Sequence, residues 1–401
     1  MVMKKLKSYD FTLIIAIILL SLFGLVMIYS ASMAWAVQWY KVPSDYFFQK
    51  QKLFLGASAV AFTFFALLPY KFMKNTKFLI FMVSSSVLGL LGLFIFGHVA
   101  GNAQSWFKIF GFSLQPAEFV KLFVIIYLSA VYAKKQAYIN QFNKGVLPPL
   151  AYLIIVCALI AFQPDFGTAI IIALIGTMII LSSGMNLKNI MKLVLITAII
   201  VVPFIIALQD EIFSEKRLAR FTVLSNPFAD ELDSGFHLAN SYIAIGSGGV
   251  NGLGLGKSIQ KLGYLPEAHT DFIMAIVAEE LGVWGVSFVI ICLGYIVLRG
   301  IYLGLQCREP FGALLAIGIS SMIGIQSFIN LAGVSGVIPL TGVPLPFVSY
   351  GGSSLLQLAI AAGILVNISR FVNYERKYNQ KQPDKENKIN QRERNIYQFR
   401  T

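Results

Sequence analysis

Ten apolar runs separated by polar connectors dominate this chain of 401 residues. A run of about 20 apolar residues, wound as an α-helix, crosses the ~30 Å hydrocarbon core of a bilayer. With 57% hydrophobic and only 13% charged residues, the composition excludes a soluble globular domain. We therefore predict an all-α polytopic membrane protein with about ten transmembrane helices. The predicted spans are residues 11–31, 53–69, 77–97, 113–133, 147–163, 166–184, 189–208, 270–298, 311–335 and 349–369.

The lysines and arginines indicate on which side of the membrane each connector lies. Placing the N-terminus in the cytoplasm puts most of them inside, and an even number of spans returns the C-terminus to the same side. The predicted organisation is a cytoplasmic segment 1–10, a ten-helix membrane domain 11–372 and a basic, disordered cytoplasmic tail 373–401. An extracytoplasmic loop, residues 209–268, separates helices 7 and 8. Because the net charge of +13 follows this topology, nucleic-acid binding is not needed to explain it.

Ionisable side chains lie at the predicted outer ends of several spans. Glu118 and Lys121 begin the fourth span three residues apart, on one helix face. Asp165 lies in the outer turn between spans five and six, Asp271 opens span eight, and the run Ser349–Ser354 opens span ten. Because ionisable groups within a membrane are costly, their convergence at one leaflet indicates a functional site. The alternative is a set of structural ion pairs, of which Glu118 with Lys121 is the clearest.

A glycine-rich segment, residues 246–258, precedes Asp271 in the outer loop. Its GLGLGKS ending resembles a phosphate-binding loop, but the first glycine of that motif would fall on Asn251. No β-strand precedes the segment and its side is extracytoplasmic, so we reject a nucleotide site. The glycines instead allow tight turns and close approach to a ligand, with Lys257 and Lys261 nearby to meet negative charge.

Other polar residues of this loop suggest roles without deciding them. Arg217 and Arg220 are three residues apart and, on a short helix, would share a face that could hold a diphosphate. Pairing of these arginines with nearby acids is equally open. His269, two residues before Asp271, either tunes that carboxylate or caps a helix. The histidines do not have zinc-site spacing, and the cysteines form neither a disulfide framework nor a metal site.

Six short segments occur in a specific order along the chain. They are QPAEFVKL (115–122), QPDFGTA (163–169), GSGGVNGLGLGKS (246–258), LPEAHTDF (265–272), AEELG (278–282) and PLPFVSYGGSS (344–354). In this combination the chain resembles the SEDS peptidoglycan glycosyltransferases over nearly its whole length. Within this family, the chain is more similar to the cell-division members than to the elongation members. This similarity rests on the residues of the first and fourth segments and on the basic tail. A sporulation paralogue is the further alternative.

The resemblance implies a ten-helix fold, polymerisation of lipid II into glycan strands, and Asp271 as the catalytic base. It also implies a class B penicillin-binding protein as transpeptidase partner, contact with other division proteins, and a place in the bacterial cytoplasmic membrane at the division septum. Where many members carry an arginine in the outer loop before QPAE, this chain has Ser105, and Lys108 is a candidate substitute. The candidate substrate or diphosphate contacts are Glu118, Lys121, Arg217, Arg220, Lys257, Lys261, His269, Thr270, Ser349, Gly351, Gly352 and Ser353, and the candidate supporting residues are Asp165, Glu280 and Asn330.

These residue types suit an inverting sugar transfer. A carboxylate can take the proton of the acceptor GlcNAc 4-hydroxyl while undecaprenyl diphosphate leaves the donor MurNAc. Lys121, Arg217 and Arg220, or a divalent cation such as Mg²⁺ or Mn²⁺ held by acids, would stabilise the leaving diphosphate. A flippase for the lipid-linked precursor is a rival, disfavoured because the inner halves of the spans carry few charges. A division scaffold that recruits partners or anionic membrane lipids through the tail is a third interpretation.

Overall fold

The computed structural model describes residues 7–100, 103–109, 112–142, 145, 147–207, 223–224, 227–230 and 235–379. Within these ranges the chain is mainly helical. The helices are α1 (Phe11–Gln38), α2 (Tyr46–Leu67), α3 (Thr76–Phe96), α4 (Pro116–Lys134), α5 (Leu147–Ala161), α6 (Phe166–Ser182), α7 (Leu187–Ala207), α8 (Phe236–Gly248), α9 (Ile273–Gln306), α10 (Pro310–Val334) and α11 (Gly352–Tyr374).

Each of the ten predicted spans coincides with a helix, although the ends differ. Helix α9 begins three residues later than predicted and extends to Gln306, and α1 extends to Gln38. Six helices in the described part of the chain are long and apolar enough to cross a membrane by length and composition. They are Phe11–Gln38, Thr76–Phe96, Pro116–Lys134, Ile273–Gln306, Pro310–Val334 and a helix running from Gly352 to Tyr378. The total of ten crossings stays a prediction.

Side-chain caps and prolines set where several helices begin. The Asp10 carboxylate accepts a hydrogen bond from the Leu13 amide (3.3 Å) ahead of α1, and the Asp165 carboxylate accepts one from the Thr168 amide (3.1 Å) ahead of α6. Pro116 occupies the first turn of α4, where its missing N–H costs no helical hydrogen bond. The polar residues between the apolar runs therefore define the helix starts as well as the connectors.

Helices α4, α10 and α11 form the centre of the bundle. About three quarters of each spanning window is buried inside the protein, at 72%, 72% and 78% respectively. The corresponding fractions for α1, α3 and α9 are 39%, 22% and 28%, so these helices present most of their apolar surface outward. In a membrane protein such a surface faces lipid. The polar residues of the central helices are thus enclosed by protein.

A small antiparallel sheet corrects the prediction of an entirely helical fold. Strands β1 (His98–Ala100), β2 (Ala103–Ile109) and β3 (Phe112–Leu114) pair in the order β1-β2-β3. Gln104 Nε2 donates to the Gly97 carbonyl (3.0 Å), which ties the sheet to the end of α3. The strands were missed because two of the three have only three residues and the surrounding apolar periodicity is helical. Ser105 is buried in β2, whereas Lys108 is exposed.

Ion pairs join the helix ends at the side of the bundle predicted to be cytoplasmic. Arg299 of α9 donates to the Asp10 carboxylate at the start of α1 (2.6 Å). Lys74 donates to Glu309 at the start of α10 (2.7 Å), and the Tyr70 hydroxyl donates to the same carboxylate (2.6 Å). Asp271 precedes the start of α9, so these ion pairs lie at the other end of the bundle from Asp271.

Part of the predicted outer loop is built against the helices. Helix α8 lies within that loop, and the Ser241 hydroxyl donates to the Val334 carbonyl at the end of α10 (3.0 Å). The His237 ring stacks on Phe272, immediately before α9. Helix α8 therefore covers the ends of α9 and α10 that are predicted to be extracytoplasmic. Arg217 and Arg220 lie outside the described residues.

Candidate functional site

Asp271 lies in a compact turn immediately before α9. The amides of Thr270 (3.1 Å) and Phe272 (3.2 Å) both donate to the Glu267 carbonyl, and the Thr270 hydroxyl donates to the Glu267 carboxylate (2.7 Å). The helix begins at Ile273. Asp271 is partly exposed, while Phe272 is buried. The local sequence thus places a carboxylate at the boundary between the packed interior and the outer surface, on a backbone with little freedom.

Asn330 of α10 connects Asp271 to a distant segment. Its side-chain Nδ2 donates to the backbone carbonyl of Asp271 (2.9 Å) and to that of Val343 (2.8 Å). Asn330 is 4% exposed, so both bonds form away from water. A buried amide that uses both of its hydrogens in this way fixes the relative position of the two chains. The prediction that Asn330 supports the site therefore has a specific geometric basis.

The segment from residue 341 to residue 350 forms a wall beside Asp271. The Ser349 hydroxyl donates to the Thr270 carbonyl (2.6 Å), and the Tyr350 amide donates to the His269 carbonyl (2.9 Å). Gly342 has a φ of 71°, and a Cβ there would lie 3.6 Å from Asp271 Oδ2. Ser349, a predicted substrate contact, thus bonds the turn that carries Asp271, and the missing side chain of Gly342 leaves room near its carboxylate.

The other predicted contacts in this run pack against α2. The Gly351 amide donates to Gln51 Oε1 (3.4 Å), and Ser353 is buried. A Cβ on Gly352 would lie 2.3 Å from a ring carbon of Phe54, so the missing side chain allows this close approach of α11 to α2. These residues hold the wall segment in place, and a direct contact with substrate stays a prediction for them.

Glu118 and Lys121 form a buried ion pair on one face of α4. Lys121 Nζ donates to Glu118 Oε1 at 2.8 Å. The Lys121 side chain is 1% exposed and the Glu118 side chain is 5% exposed. Glu118 Oε2 has no hydrogen-bond partner among the described residues. A buried pair with one carboxylate oxygen unsatisfied contributes little net stability, which keeps a functional role open beside the structural one.

Asp165 links the start of α4 to the start of α6. Gln115 Nε2 donates to Asp165 Oδ2 (3.3 Å), while Asp165 Oδ1 caps α6. Gly167, the second residue of α6, lies so close to the wall that a Cβ there would be 3.1 Å from the Thr341 carbonyl. Because Gly342, the next residue, faces Asp271, the wall lies between the α6 start and the Asp271 turn. The predicted convergence at one end of the bundle is therefore partly visible in these contacts.

The glycine-rich segment approaches a break in α9. Gly282 has a φ of 62° and interrupts the helix, and the Val283 amide donates to the Val250 carbonyl of the glycine-rich segment (3.1 Å). A Cβ on Gly282 would lie 2.4 Å from that carbonyl oxygen. The break thus needs glycine for two reasons, a left-handed backbone and the absence of a side chain.

The carbonyls released by the break are taken up by the glycine-rich segment. The Leu253 amide donates to the Glu279 carbonyl and the Gly254 amide donates to the Glu280 carbonyl, each at 2.9 Å. A Cβ on Gly252 would lie 2.2 Å from the Glu280 carbonyl oxygen. The close approach predicted for these glycines is therefore an approach to the helix backbone. Their contact with a ligand stays a prediction.

Lys257 and Lys261 have different environments. Lys261 is buried, and its Nζ donates to Glu280 Oε1 (2.7 Å) and to the Ser30 hydroxyl (2.9 Å), which in turn donates to Glu280. Lys257 is exposed. Lys261 and Glu280 therefore join the loop, α9 and α1 in one network. Of these two lysines, Lys257 is the one open to a diphosphate without first breaking an ion pair.

Glu279 anchors the turn that follows the glycines. Its carboxylate accepts hydrogen bonds from the Ser258 hydroxyl, from the Ile259 amide (2.8 Å) and from the Gln260 amide (3.3 Å). Glu279 and Ser30 were not among the predicted site residues. The signal that could have found them is a polar residue within an otherwise apolar helix, since such groups need an internal partner.

The His269 ring is packed in an aromatic cluster. Its centroid lies 4.5 Å from that of Phe47 and 5.6 Å from that of Tyr350, and the residue is 3% exposed. Burial lowers its pKa to about 4, with the nearby Glu267 charge opposing the shift. His269 is consequently neutral at pH 7. The described contacts of its side chain are aromatic, which neither of the two predicted roles required.

A metal site has no support in the described side chains. Within the described ranges, no three His, Cys, Asp or Glu side chains come together as metal ligands. The divalent cation held by acids stays a prediction.

Comparisons with known proteins place these features in a family context. Residues 11–374 match the profile described as Cell cycle protein, which covers FtsW, RodA and SpoVE. A Bacillus subtilis (strain 168) protein described as probable peptidoglycan glycosyltransferase FtsW is 58% identical over 386 residues, or 96% of each chain. Stage V sporulation protein E of the same strain is 38% identical, covering 92% of this chain and 99% of its own. The resemblance predicted from the six segments is confirmed, with greater similarity to this FtsW than to this sporulation protein.

Solved structures share the fold. RodA of Thermus thermophilus superimposes with a TM-score of 0.65 at 22% identity, covering 90% of this chain and 97% of that one. A chain from a study of structural coordination of polymerization and crosslinking by a peptidoglycan synthase complex gives a TM-score of 0.70 at 21% identity, covering 91% and 98%. The arrangement of helices is therefore that of RodA.

Proposed function

The chain belongs to the cell cycle protein family of FtsW, RodA and SpoVE, and on that premise we propose that it is a peptidoglycan glycosyltransferase of cell division. It would polymerise lipid II into glycan strands at the outer face of the cytoplasmic membrane. The name of the 58% identical FtsW relative supports the reaction class and the division role. The lower identity to the sporulation relative, 38%, makes that branch the weaker alternative.

The observation that carries the proposal is the setting of Asp271. Asp271 is partly exposed at the predicted outer end of the bundle, and its backbone is held by Asn330 and by the wall segment. A general base needs this combination, because the acceptor must reach the carboxylate and the carboxylate must not move away. The space left by Gly342 beside Oδ2 is where an acceptor hydroxyl would enter.

In the proposed reaction Asp271 accepts the proton of the GlcNAc 4-hydroxyl as its oxygen attacks C1 of the donor MurNAc. The bond from C1 to the undecaprenyl diphosphate oxygen breaks, and direct displacement inverts the anomeric centre. The leaving group carries the negative charge away, so a general acid is less necessary than in glycoside hydrolysis. Cationic side chains stabilise it, with exposed Lys257 and the predicted Arg217 and Arg220 as candidates.

The test is polymerisation of lipid II by the purified protein, reconstituted with its class B penicillin-binding protein. Asp271→Asn and Asp271→Ala should abolish glycan strands while leaving the thermal melting temperature near that of the wild type. Asp45→Asn is the matched control, since Asp45 is another carboxylate at the predicted outer end, beside α2, and its described hydrogen bond is to Gln49. Polymerisation by a folded Asp271→Asn protein at the wild-type rate would reject the base assignment.

A class B penicillin-binding protein is the proposed partner. The structural neighbour from a peptidoglycan synthase complex, where polymerization and crosslinking are coordinated, supports this choice. Co-purification from membranes and a fluorescent fusion at the septum would test the partner and the location. Lipid II translocation across vesicles without polymerisation would instead favour the flippase. Deletion of residues 377–401 with loss of septal location but retained activity would assign recruitment to the tail.

A further inference from the structure

A cavity of about 880 Å³ lies at the end of the bundle opposite Asp271. Its walls are the first turns of α3, the last turns of α4 and the start of α10. It extends from Lys74 and Lys135 at the helix ends to Ser84 and Tyr127 within the helices. Eight or so helical residues correspond to a depth of ~12 Å, which reaches from the headgroup region into the hydrocarbon of the predicted inner leaflet. The residues assigned to the Asp271 site do not line it.

The mouth and the floor of the cavity differ in chemistry. Lys74, Lys134 and Lys135 line the mouth together with a single acid, Glu309, so the charged lining is +2. Glu309 already accepts hydrogen bonds from Lys74 and Tyr70 and lies 3.5 Å from Lys71. This acid is therefore already engaged within the protein by Lys71, Lys74 and Tyr70.

The deeper walls are apolar. Leu79, Ile80 and Val83 come from α3, and Val131 comes from α4. Ile80 is 61% exposed, so the cavity opens sideways toward the surface that faces lipid. A small soluble anion would use the lysines but gain nothing from these walls. A ligand with a negative headgroup and an attached hydrocarbon chain would use both.

We propose that this cavity binds one anionic phospholipid of the inner leaflet. The phosphate and headgroup would lie between Lys134 and Lys135, and the start of an acyl chain would follow Ile80 and Val83 toward Ser84. Basic pockets between transmembrane helices on the cytoplasmic side suit anionic headgroups for this electrostatic reason. A zwitterionic lipid brings its own positive charge to the same lysines and binds more weakly. The site is independent of the sugar-transfer chemistry at Asp271.

The first test measures lipid binding without turnover. Delipidated full-length protein is titrated with phosphatidylglycerol or phosphatidylcholine and bound lipid is counted by native mass spectrometry. We expect one saturable phosphatidylglycerol, bound at least ~10-fold more tightly than phosphatidylcholine. Lys134→Gln with Lys135→Gln should remove this preference, since each lysine near anionic headgroups contributes about a fivefold factor. Lys188→Gln with Lys192→Gln is the matched control, because these lysines are exposed at the same predicted side and do not line the cavity.

The second test fills the cavity without changing its charge. Ser84→Trp places a large ring in the deeper part from an exposed position on α3, so the variant should fold. Leu88→Trp is the control, one turn further along α3, 67% exposed and outside the lining. Ser84→Trp should abolish saturable binding, while Leu88→Trp should retain it, at equal melting temperatures.

Five results would each overturn the proposal. Equal loss of binding in both lysine pairs would indicate diffuse surface charge. Equal affinity for the two phospholipids, or full binding by Ser84→Trp, would show that the cavity does not select an anionic lipid. Displacement of phosphatidylglycerol by a polyprenyl-diphosphate lipid at lower concentration would make the cavity a precursor site. Full competition by inorganic phosphate would assign the site to a free anion.

Discussion

The side-chain amide of Asn330 donates to the backbone carbonyls of Asp271 and Val343, at 2.9 and 2.8 Å. One residue of α10 thereby sets the distance between the candidate base and the wall that faces it. Neither bond involves the Asp271 carboxylate, so Asn330 is a positioning residue. Several of the polar residues around the site act in the same way, on backbone groups and not on the reacting atoms.

Asn330→Leu should lower both stability and polymerisation. Two buried carbonyls lose their donor, which costs about 2 kcal/mol of unfolding free energy, and displacement of Asp271 should cost about 10- to 100-fold in kcat. Thermal melting and lipid II turnover well below the melting temperature measure the two effects separately. Ser327→Ala, one turn earlier on α10, is the control because the described hydrogen bond of its hydroxyl is to the Ile323 carbonyl of its own helix. Unchanged kcat in a folded Asn330→Leu protein would refute the positioning role.

Gly282→Ala should release the glycine-rich segment from α9. The added Cβ would meet the Val250 carbonyl at 2.4 Å on a backbone with a φ of 62°. Strain of this kind costs about 1–3 kcal/mol. Gly294→Ala on the same helix meets no atom within 4 Å and should be neutral or slightly stabilising. Limited proteolysis within residues 246–258 and thermal melting compare the two variants. Equal protease sensitivity and equal melting temperatures would contradict the packing of the glycine-rich segment against α9.

Lys261→Met should destabilise the protein by about 3–5 kcal/mol, because it leaves the Glu280 carboxylate charged and buried without its cation. Adding Glu280→Gln should recover much of this loss, since the neutral amide can still bond Ser30. Lys257→Met, at an exposed position, should leave the melting temperature unchanged.

The same variants decide whether Lys261 also holds the diphosphate. If the double variant recovers stability and polymerisation together, Lys261 is structural. Recovery of stability with persistently raised KM for lipid II would instead support its predicted role as a diphosphate contact. Failure of Glu280→Gln to rescue stability would show that the pair is not the relevant interaction.

Acid should destabilise the fold through His269. Its pKa is about 4 in the folded protein, below the ordinary value of 6.5, because burial disfavours the charged ring. The unfolded chain therefore binds more protons between these values, and stability falls as the pH falls from about 6.5 to about 4, by up to ~3 kcal/mol. In His269→Gln the melting temperature should depend less on pH over this range. His98→Gln, at an exposed position, should keep the pH dependence of the wild type. An unchanged pH profile in His269→Gln would exclude His269 as the source.

The sequence predicted the membrane class, the ten helical segments and the family because these depend on local composition and on ordered motifs. Apolar runs of membrane length have few folded alternatives, and Glu118 and Lys121 share a face through helical periodicity alone. The sequence also placed Asp271 at a helix start. The β-sheet was not predicted because two of its three strands have only three residues, which show no distinctive periodicity amid apolar helices.

The tertiary structure decided which polar groups serve one another. No spacing pattern indicates that Lys261 is buried against Glu280 and Ser30, since Ser30 lies 231 residues away along the chain. Likewise, the sequence of the glycine-rich segment resembles a ligand-binding loop. In the structure, its amides donate hydrogen bonds to carbonyls of α9 near the break at Gly282. A buried polar group must find its partner in three dimensions, and that partner is chosen by packing. The sequence alone therefore determined that Asp271 is a candidate base, and only the fold determined what holds it still.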